Sequence, residues 1–401
     1  MKNLYAVACL ALVLAVLGSS RAATSAEKNF PRLALYERFV AIDEACGWPL
    51  VTVLPDGALG CLIWPVPLHG FTEGAVEFWK STDDGRAWRK AGVPVTNSPT
   101  QNRMNHAGGV AADGLVIALV GGWDQRLPAG WRPNADDKRA PGTHFTKANT
   151  LHPVPAVSRD GGATWRQFSA VTAPAQENDQ GFVPYGRIAP LADGTLGVMM
   201  YRDELSFFTS ADDGGTWKKR GEVSRGRVHN ETAWLRLANG DLFAAARAYG
   251  PGNTGNHAGG GALNQQLFAF RSKDAGATWA AEGELTLPMQ HPADLTRLPD
   301  GRVLLSYGVR NDGDWGIAYR IGDPEARGWS APVRLVDLEG STNTPDASDA
   351  LRDGGYPSTV MLADSTLVTA YYSKGVPAHR RYHVGVVRWR LPTAPVKPAL
   401  P

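Results

Sequence analysis

Four cations recur at similar places in this 401-residue chain: Arg202, Arg247, Arg310 and Lys374. They stand eight, seven, nine and nine residues after turn residues Gly194, Gly240, Gly301 and Ser365. A guanidinium is a planar fork of donors that grips a carboxylate or sulfate through two parallel bonds, and a lysine adds a point charge. Like charges converging on one mouth call for an anion between them. The chemistry they point to is capture of an acidic ligand. A second set lies nine residues before equivalent turns: Trp48, Asn105, Tyr185, Glu231, Pro292 and Tyr356. Adjacent positions add His106, Asn230 and His291, with Arg187 and Asp294 two residues further along. A position that served only packing would repeat one apolar type. Polar and aromatic variety is what a binding surface requires.

Repeated elements must position these residues. Six segments read as apolar strand, tight turn, apolar strand: VTVLPDGALGCLI, GGVAADGLVIALV, RIAPLADGTLGVMMY, WLRLANGDLFAAAR, LTRLPDGRVLLSYG and TVMLADSTLVTAYY. Asp-Gly or Asn-Gly between alternating apolar runs is the strongest short-range hairpin signal. A second repeat follows four of them, as S-x-D-x-G-x-x-W at Ser81 to Trp88, Ser158 to Trp165, Ser210 to Trp217 and Ser272 to Trp279. A degenerate copy runs from Asp323 to Trp329. In this turn the Asp is expected to accept backbone N–H groups two residues on, Gly to supply a positive φ, and Trp to bury its ring on the neighbouring sheet. Together the repeats imply an all-β fold, a six-bladed β-propeller of four-stranded blades. ALYERFVAI near the start is expected to complete the last blade beside YHVGVVRWRL. Gly122 to Val157 and Tyr249 to Gln266 exceed ordinary hairpin connections and are candidate rim loops.

Composition narrows the setting. Residues 1–26 have the order of a secretory signal peptide, with one Lys, a short apolar run and then small residues, and cleavage is expected after Ala22 or Ala26. Residues 27–392 form the propeller and 393–401 a flexible tail in this reading. A secreted or periplasmic protein is implied. Loss of Lys2 and Arg21 takes the formal charge from +2 to about zero. Without a basic run, nucleic acid and membrane surface are not expected partners. Cys46 and Cys61 remain, and either a disulfide or two buried thiols fits their spacing. No metal or cofactor is demanded by the histidine and cysteine pattern. A monomer is expected, although no residue pattern bears on oligomeric state.

These residues resemble the bacterial exo-sialidases, the Asp-box propeller superfamily. HNETAWLRLANGDLFAAAR is similar to the segment in which a Glu assists the catalytic Tyr and an Arg sixteen residues later binds the substrate carboxylate; Glu231 and Arg247 keep that separation. DGGYPSTVMLADSTLVTAYY resembles the segment of the nucleophile, which implies that role for Tyr356. VRNDGDWGIAYRI resembles the segment of the last carboxylate-binding arginine, implying Arg310. The family's F-R-I-P stands here as Cys46-Gly47-Trp48-Pro49, so Gly47 occupies the first arginine's place. Where the family carries an Asp acid/base, HGFTEGAVEFWKSTDDG offers Glu73.

The resemblance implies a glycoside hydrolase releasing a terminal acidic sugar, sialic acid or another anionic unit. Tyrosine is the known exception among glycosidase nucleophiles. Its free pKa near 10 makes it weak unless a base such as Glu231 takes its proton. Glu73 would protonate the leaving oxygen and then activate water. Arg202, Asn105, His106, Asp294 and Trp48 join Arg247 and Arg310 as expected substrate contacts. Two alternatives stay open: a propeller lyase on uronates, using Tyr356 with His106 or His291, and a non-catalytic carbohydrate-binding propeller.

Overall fold

Each first hairpin closes by the same local bond. The side chains of Asp56, Asp113, Asp193, Asn239, Asp300 and Asp364 accept the N–H two residues on, at 3.0–3.1 Å. The next residue is glycine in five of them, with φ from +80° to +94°, and Ser365 takes φ +67° in the sixth. A left-handed residue there lets two twisted strands return on each other.

The computed structural model describes residues 31–33, 36–67, 74–124, 150–172, 181–226, 229–248, 265–311, 314–338, 354–375 and 381–392. Within them the hairpins grow into six four-stranded antiparallel meanders. The first contains β2 (Leu50–Val53), β3 (Leu59–Ile63), β4 (Glu77–Ser81) and β5 (Arg89–Gly92). The second contains β6 (Asn105–Val110), β7 (Val116–Trp123), β8 (Thr150–Ser158) and β9 (Arg166–Gln167). The third contains β10 (Val183–Pro190), β11 (Leu196–Tyr201), β12 (Leu205–Ser210) and β13 (Lys218–Ser224). The fourth contains β14 (His229–Arg236), β15 (Leu242–Ala248), β16 (Gln266–Ser272) and β17 (Ala280–Glu284). The fifth contains β18 (Gln290–Arg297), β19 (Val303–Asn311), β20 (Asp314–Gly322) and β21 (Val333–Asp337). In the last, β22 (Gly354–Met361), β23 (Leu367–Ser373) and β24 (His383–Trp389) are completed by β1 (Glu37–Asp43), which pairs antiparallel with β24. The expected closure of the final blade by an N-terminal strand is therefore present.

First strands meet in order, β2 with β6, then β10, β14, β18 and β22, and β22 meets β2 again. Parallel pairing of Gly186 with Ala107 and Arg187 with Gly108 even fuses the second and third meanders into one sheet. Arg187 crosses this ring. Its Nη1 donates to the Val51 carbonyl at 2.9 Å, and its Nη2 donates to Asp294 Oδ2 at 2.9 Å and the Thr359 carbonyl at 2.7 Å. Asp294 also accepts the Thr359 N–H at 2.6 Å. Four blades are thus tied across the channel by two side chains.

The second repeat lies between third and fourth strands, and its bonding differs from the expectation. The Asp carboxylate reaches the N–H four residues on, not two: Ala87, Thr164, Thr216 and Thr278 donate at 2.8–2.9 Å. The turn is wider than a hairpin tip, and the Ser hydroxyl closes it by accepting the Gly N–H at 2.8–3.0 Å while donating to the Asp at 2.8 Å. Each Trp Nε1 donates to the box glycine carbonyl at 2.8–3.1 Å. The rings then dock on the preceding blade, Trp165 edge-on to Phe78 at 5.5 Å and Trp279 to Phe207 at 5.6 Å. The degenerate copy keeps the rule. Arg327 N–H donates to Asp323 at 2.8 Å, and Trp329 lies 6.0 Å from Phe243 of the blade before. A Cβ on Gly276 would stand 2.2 Å from Phe207 Cδ1, so close approach as well as φ +92° demands glycine.

Cys46 and Cys61 are buried thiols, not joined by a disulfide. They belong to different apolar clusters, which resolves the open choice in favour of two thiols. Residues 1–26, Glu73, most of the two candidate rim loops and residues 393–401 lie outside the described residues.

Candidate active site

The inner strand of the last blade begins with Gly354, Gly355 and Tyr356 at φ +154°, +105° and +51°. A bulky residue in the left-handed region is held there by its surroundings, and such strain gathers at functional sites. Register shifts between Gly355 and Ser358 as β22 pairs with β23, the irregularity that re-aims the Tyr356 side chain. A matching irregularity lies between His229 and Thr232 in β14, at Glu231.

These two bulged strands bring together a compact triangle. The Tyr356 hydroxyl lies 2.8 Å from both carboxylate oxygens of Glu231. Arg247 Nη1 stands 2.7 Å from Glu231 Oε2 and donates to the Tyr356 hydroxyl at 3.3 Å. Arg247 is oriented in turn by Nε donation to Asn230 Oδ1 at 2.8 Å. Arg310 closes the group from the fifth blade. Its guanidinium carbon lies 5.3 Å from the Tyr356 ring centroid, and Nη2 donates to the Gly354 carbonyl at 2.9 Å. Burial pushes the Tyr356 phenol well above its ordinary pKa, and the Glu231 charge adds to the rise while both arginines oppose it. At neutral pH the phenol is protonated and hydrogen-bonded to a carboxylate that can receive its proton. Two guanidinium groups beside that oxygen can hold an anion.

An aromatic cluster forms the rest of the surroundings. Trp48 and Tyr185 stand edge-on to Tyr356 at 6.2 and 6.4 Å, and Tyr372 lies tilted at 5.6 Å. Trp64, Trp123, Met104 and Tyr382 share the same buried cluster. Composition and motif do not single these out, but offset does: Trp64, Tyr201 and Tyr372 each fall seven residues after their turn residue, the offset of Arg247. The charged groups come from blades four and five, the aromatic ones from blade six and the first three.

Other expected site residues are placed as follows. His106 is buried, with Nε2 donating to the Trp48 carbonyl at 2.9 Å, and burial lowers its pKa to about 4. Asn105 is partly buried at the start of β6, and its Oδ1 has no hydrogen-bond partner among the described residues. Arg202 directly follows Tyr201, which packs on the aromatic cluster, and is partly buried. Lys374 places its Nζ 5.2 Å over the Tyr382 ring, a member of the aromatic cluster. Asp294 is not in the Tyr356 triangle; it pairs with Arg187 and accepts the Thr359 N–H inside the ring. His291 is 1% exposed with neither ring nitrogen hydrogen-bonded among the described residues, and burial, with Arg310 and Arg247, keeps it neutral.

Comparisons with known proteins agree with this architecture. The family model described as BNR repeat-like domain matches residues 139–369, more than half of the chain. A Dyadobacter fermentans protein of unknown function has a similar structure, with TM-score 0.68 and 22% identity over 88% of this chain and 97% of that one. Trypanosoma rangeli sialidase superposes with TM-score 0.59 at 16% identity, covering 90% of this chain but 58% of its own length. A Hadza microbial sialidase gives TM-score 0.58 at 17% identity, over 86% of this chain and 66% of that one. At such identities the likeness speaks for the fold alone. No curated protein sequence matches the chain. With Asp boxes, six meanders and the family match in agreement, the chain belongs to the BNR repeat-like domain family and is a divergent member with the sialidase propeller fold.

Proposed function

We propose that the protein is a secreted, exo-acting glycoside hydrolase that releases a terminal acidic sugar, with Tyr356 as nucleophile and Glu231 as its base. The observation that carries this reading is the Tyr356 hydroxyl 2.8 Å from both Glu231 oxygens, with Arg247 at 3.3 Å. In the proposed reaction the phenolic oxygen attacks the anomeric carbon as its proton passes to Glu231. The bond to the leaving oxygen breaks, and that oxygen takes a proton from Glu73. Water, deprotonated by Glu73, then hydrolyses the glycosyl-tyrosine, and Glu231 returns its proton to the phenol. A neutral phenol suits an anionic sugar because it escapes the repulsion a carboxylate nucleophile would meet.

The position of the cations supports an anion close to the reacting carbon. Arg247 touches the attacking oxygen itself and Arg310 lies over the same ring. A sugar bearing its carboxylate on the anomeric carbon, as sialic acids do, fits that placement better than a uronate whose acid lies across the ring. The lyase alternative would draw on His106 or His291, but His106 is bonded to the Trp48 carbonyl and both rings are buried, at 5% and 1% exposure. The test is Tyr356→Phe against aryl glycosides of acidic sugars. Turnover is expected to fall by about a thousandfold or more while binding of the sugar acid persists. Unchanged turnover would remove Tyr356 from the reaction.

A further inference from the structure

We propose that Trp48 determines this site's specificity: its indole is the wall against which the ring of a singly charged sugar packs, where related sites place a third cation, and His106 is the residue that positions it. The inference rests on the glycosidase reading above and specifies how that site holds its substrate. Gly47 has φ +80°, and its missing Cβ would face the Trp64 side chain at 3.6 Å. Any larger residue there would be strained in its backbone, so the corner is not built to carry an arginine. It is built to present the next residue.

Trp48 has φ +54°, and Glu44 four residues earlier has φ +54° as well. A left-handed backbone is unusual for so large a side chain, and Pro49 follows it, which disfavours helical conformations of either hand in favour of extended ones. Two bonds hold this conformation. The Gly47 carbonyl accepts the Trp64 N–H at 3.1 Å, and the Trp48 carbonyl accepts His106 Nε2 at 2.9 Å. His106 is 5% exposed and cannot reach solvent or a ligand freely, so its contribution passes through Trp48. The corner delivers a partly exposed indole standing at 71° to the Tyr356 ring, 6.2 Å away. Tyr185 stands at 61° and 6.4 Å, also partly exposed, while Tyr356 itself is 5% exposed. A sugar over the Tyr356 hydroxyl would therefore meet two upright aromatic walls together with Arg247 and Arg310. The apolar face of a pyranose packs on such a wall, and one carboxylate satisfies two guanidinium groups.

Calorimetry on the full protein tests this, with the 2,3-didehydro derivative of N-acetylneuraminic acid, galacturonate and a sulfated N-acetylglucosamine as probes. Trp48→Ala is expected to weaken binding of the accepted probe roughly tenfold or more, with Trp48→Phe within about threefold of the native chain. His106→Ala is expected to weaken binding similarly, and to add little once Trp48 is already alanine, because both act through one wall. Fully additive losses would overturn the positioning role. Native affinity in Trp48→Ala, alongside lost binding in Arg310→Ala, would overturn the Trp48 assignment and leave the glycosidase reading standing. No binding of any acidic probe by the native protein would overturn that reading, and this inference with it.

Discussion

Tyr356 must meet two opposing demands. It has to stay neutral beside an anionic ligand, yet give up its proton at the moment of attack. Burial among Trp48, Tyr185 and Tyr372 raises its pKa and meets the first demand. Glu231, bonded to the hydroxyl through both oxygens, meets the second. Arg247 keeps that carboxylate in place and is itself only 7% exposed. Glu231→Gln keeps the shape but offers the phenol an acceptor too weak to take its proton. Its kcat should fall by about 10²–10⁴ with KM changed much less, as loss of a general base requires. Steady-state kinetics on the released aglycone measure it, and an unaltered kcat would remove Glu231 from the proton path. The triangle's residue types were legible from spacing, because Glu231 and Arg247 sit at fixed offsets around one turn. The contributions of Asn230, which orients Arg247, and of His106, which holds Trp48, were legible only as neighbours of such positions.

Among the elements, the box turns act as docking pegs between blades. Each fixes a Trp on the preceding sheet through a Ser-Asp-Gly bond set that uses few solvent-sensitive contacts apart from the carboxylate. Asp160 and Asp274 are held down to about 2 from an ordinary 3.8, first by the Thr164 and Thr278 hydroxyls and then by the N–H groups of the same residues. A lowered folded pKa means the unfolded chain binds more protons as pH falls. The stabilisation is therefore complete above about pH 4 and is lost progressively toward pH 2. Urea unfolding followed by Trp fluorescence should show this acid-side loss. Asp274→Ala should already be less stable at neutral pH, by about 1 kcal/mol for an exposed hydrogen-bonded carboxylate, and should lose less on acidification. Equal acid sensitivity in variant and native protein would contradict the assignment. The turn residues were readable as a repeat, but the reach of the Asp to the fourth N–H was not. That distance depends on the loop that Ser closes, which the repeat pattern does not specify.

At the scale of the molecule, closure decides stability. The ring is closed by hydrogen bonds between the two ends of the chain, where β1 pairs with β24. Arg388 of β24 pairs with Glu37 of β1 at 2.7 Å, and Arg38 donates to Tyr371 at 2.7 Å, so side chains reinforce the ladder. A chain beginning at Cys46 would expose the β24 edge, and an open edge is a template for pairing with another chain. It should show a lower unfolding temperature and concentration-dependent association by light scattering. A monomer of native stability would show that β1 is dispensable.

From the residues alone came the all-β class, the six hairpins, the box turns, the strand that closes the last blade, and the offsets that carry Tyr356, Glu231, Arg247 and Arg310. All of these are local, because turn chemistry and strand alternation are written in neighbouring residues. Tertiary structure decided which of the offset positions meet. Arg187 and Asp294 share the spacing of ligand-facing residues, but the twist of the inner strands turns them onto each other inside the channel. It also decided that Cys46 and Cys61 stay apart in separate clusters. The corner where the family pattern has its first arginine is a left-handed glycine presenting an indole, because only the packing of blades one, two and six around Trp48 fixes that corner.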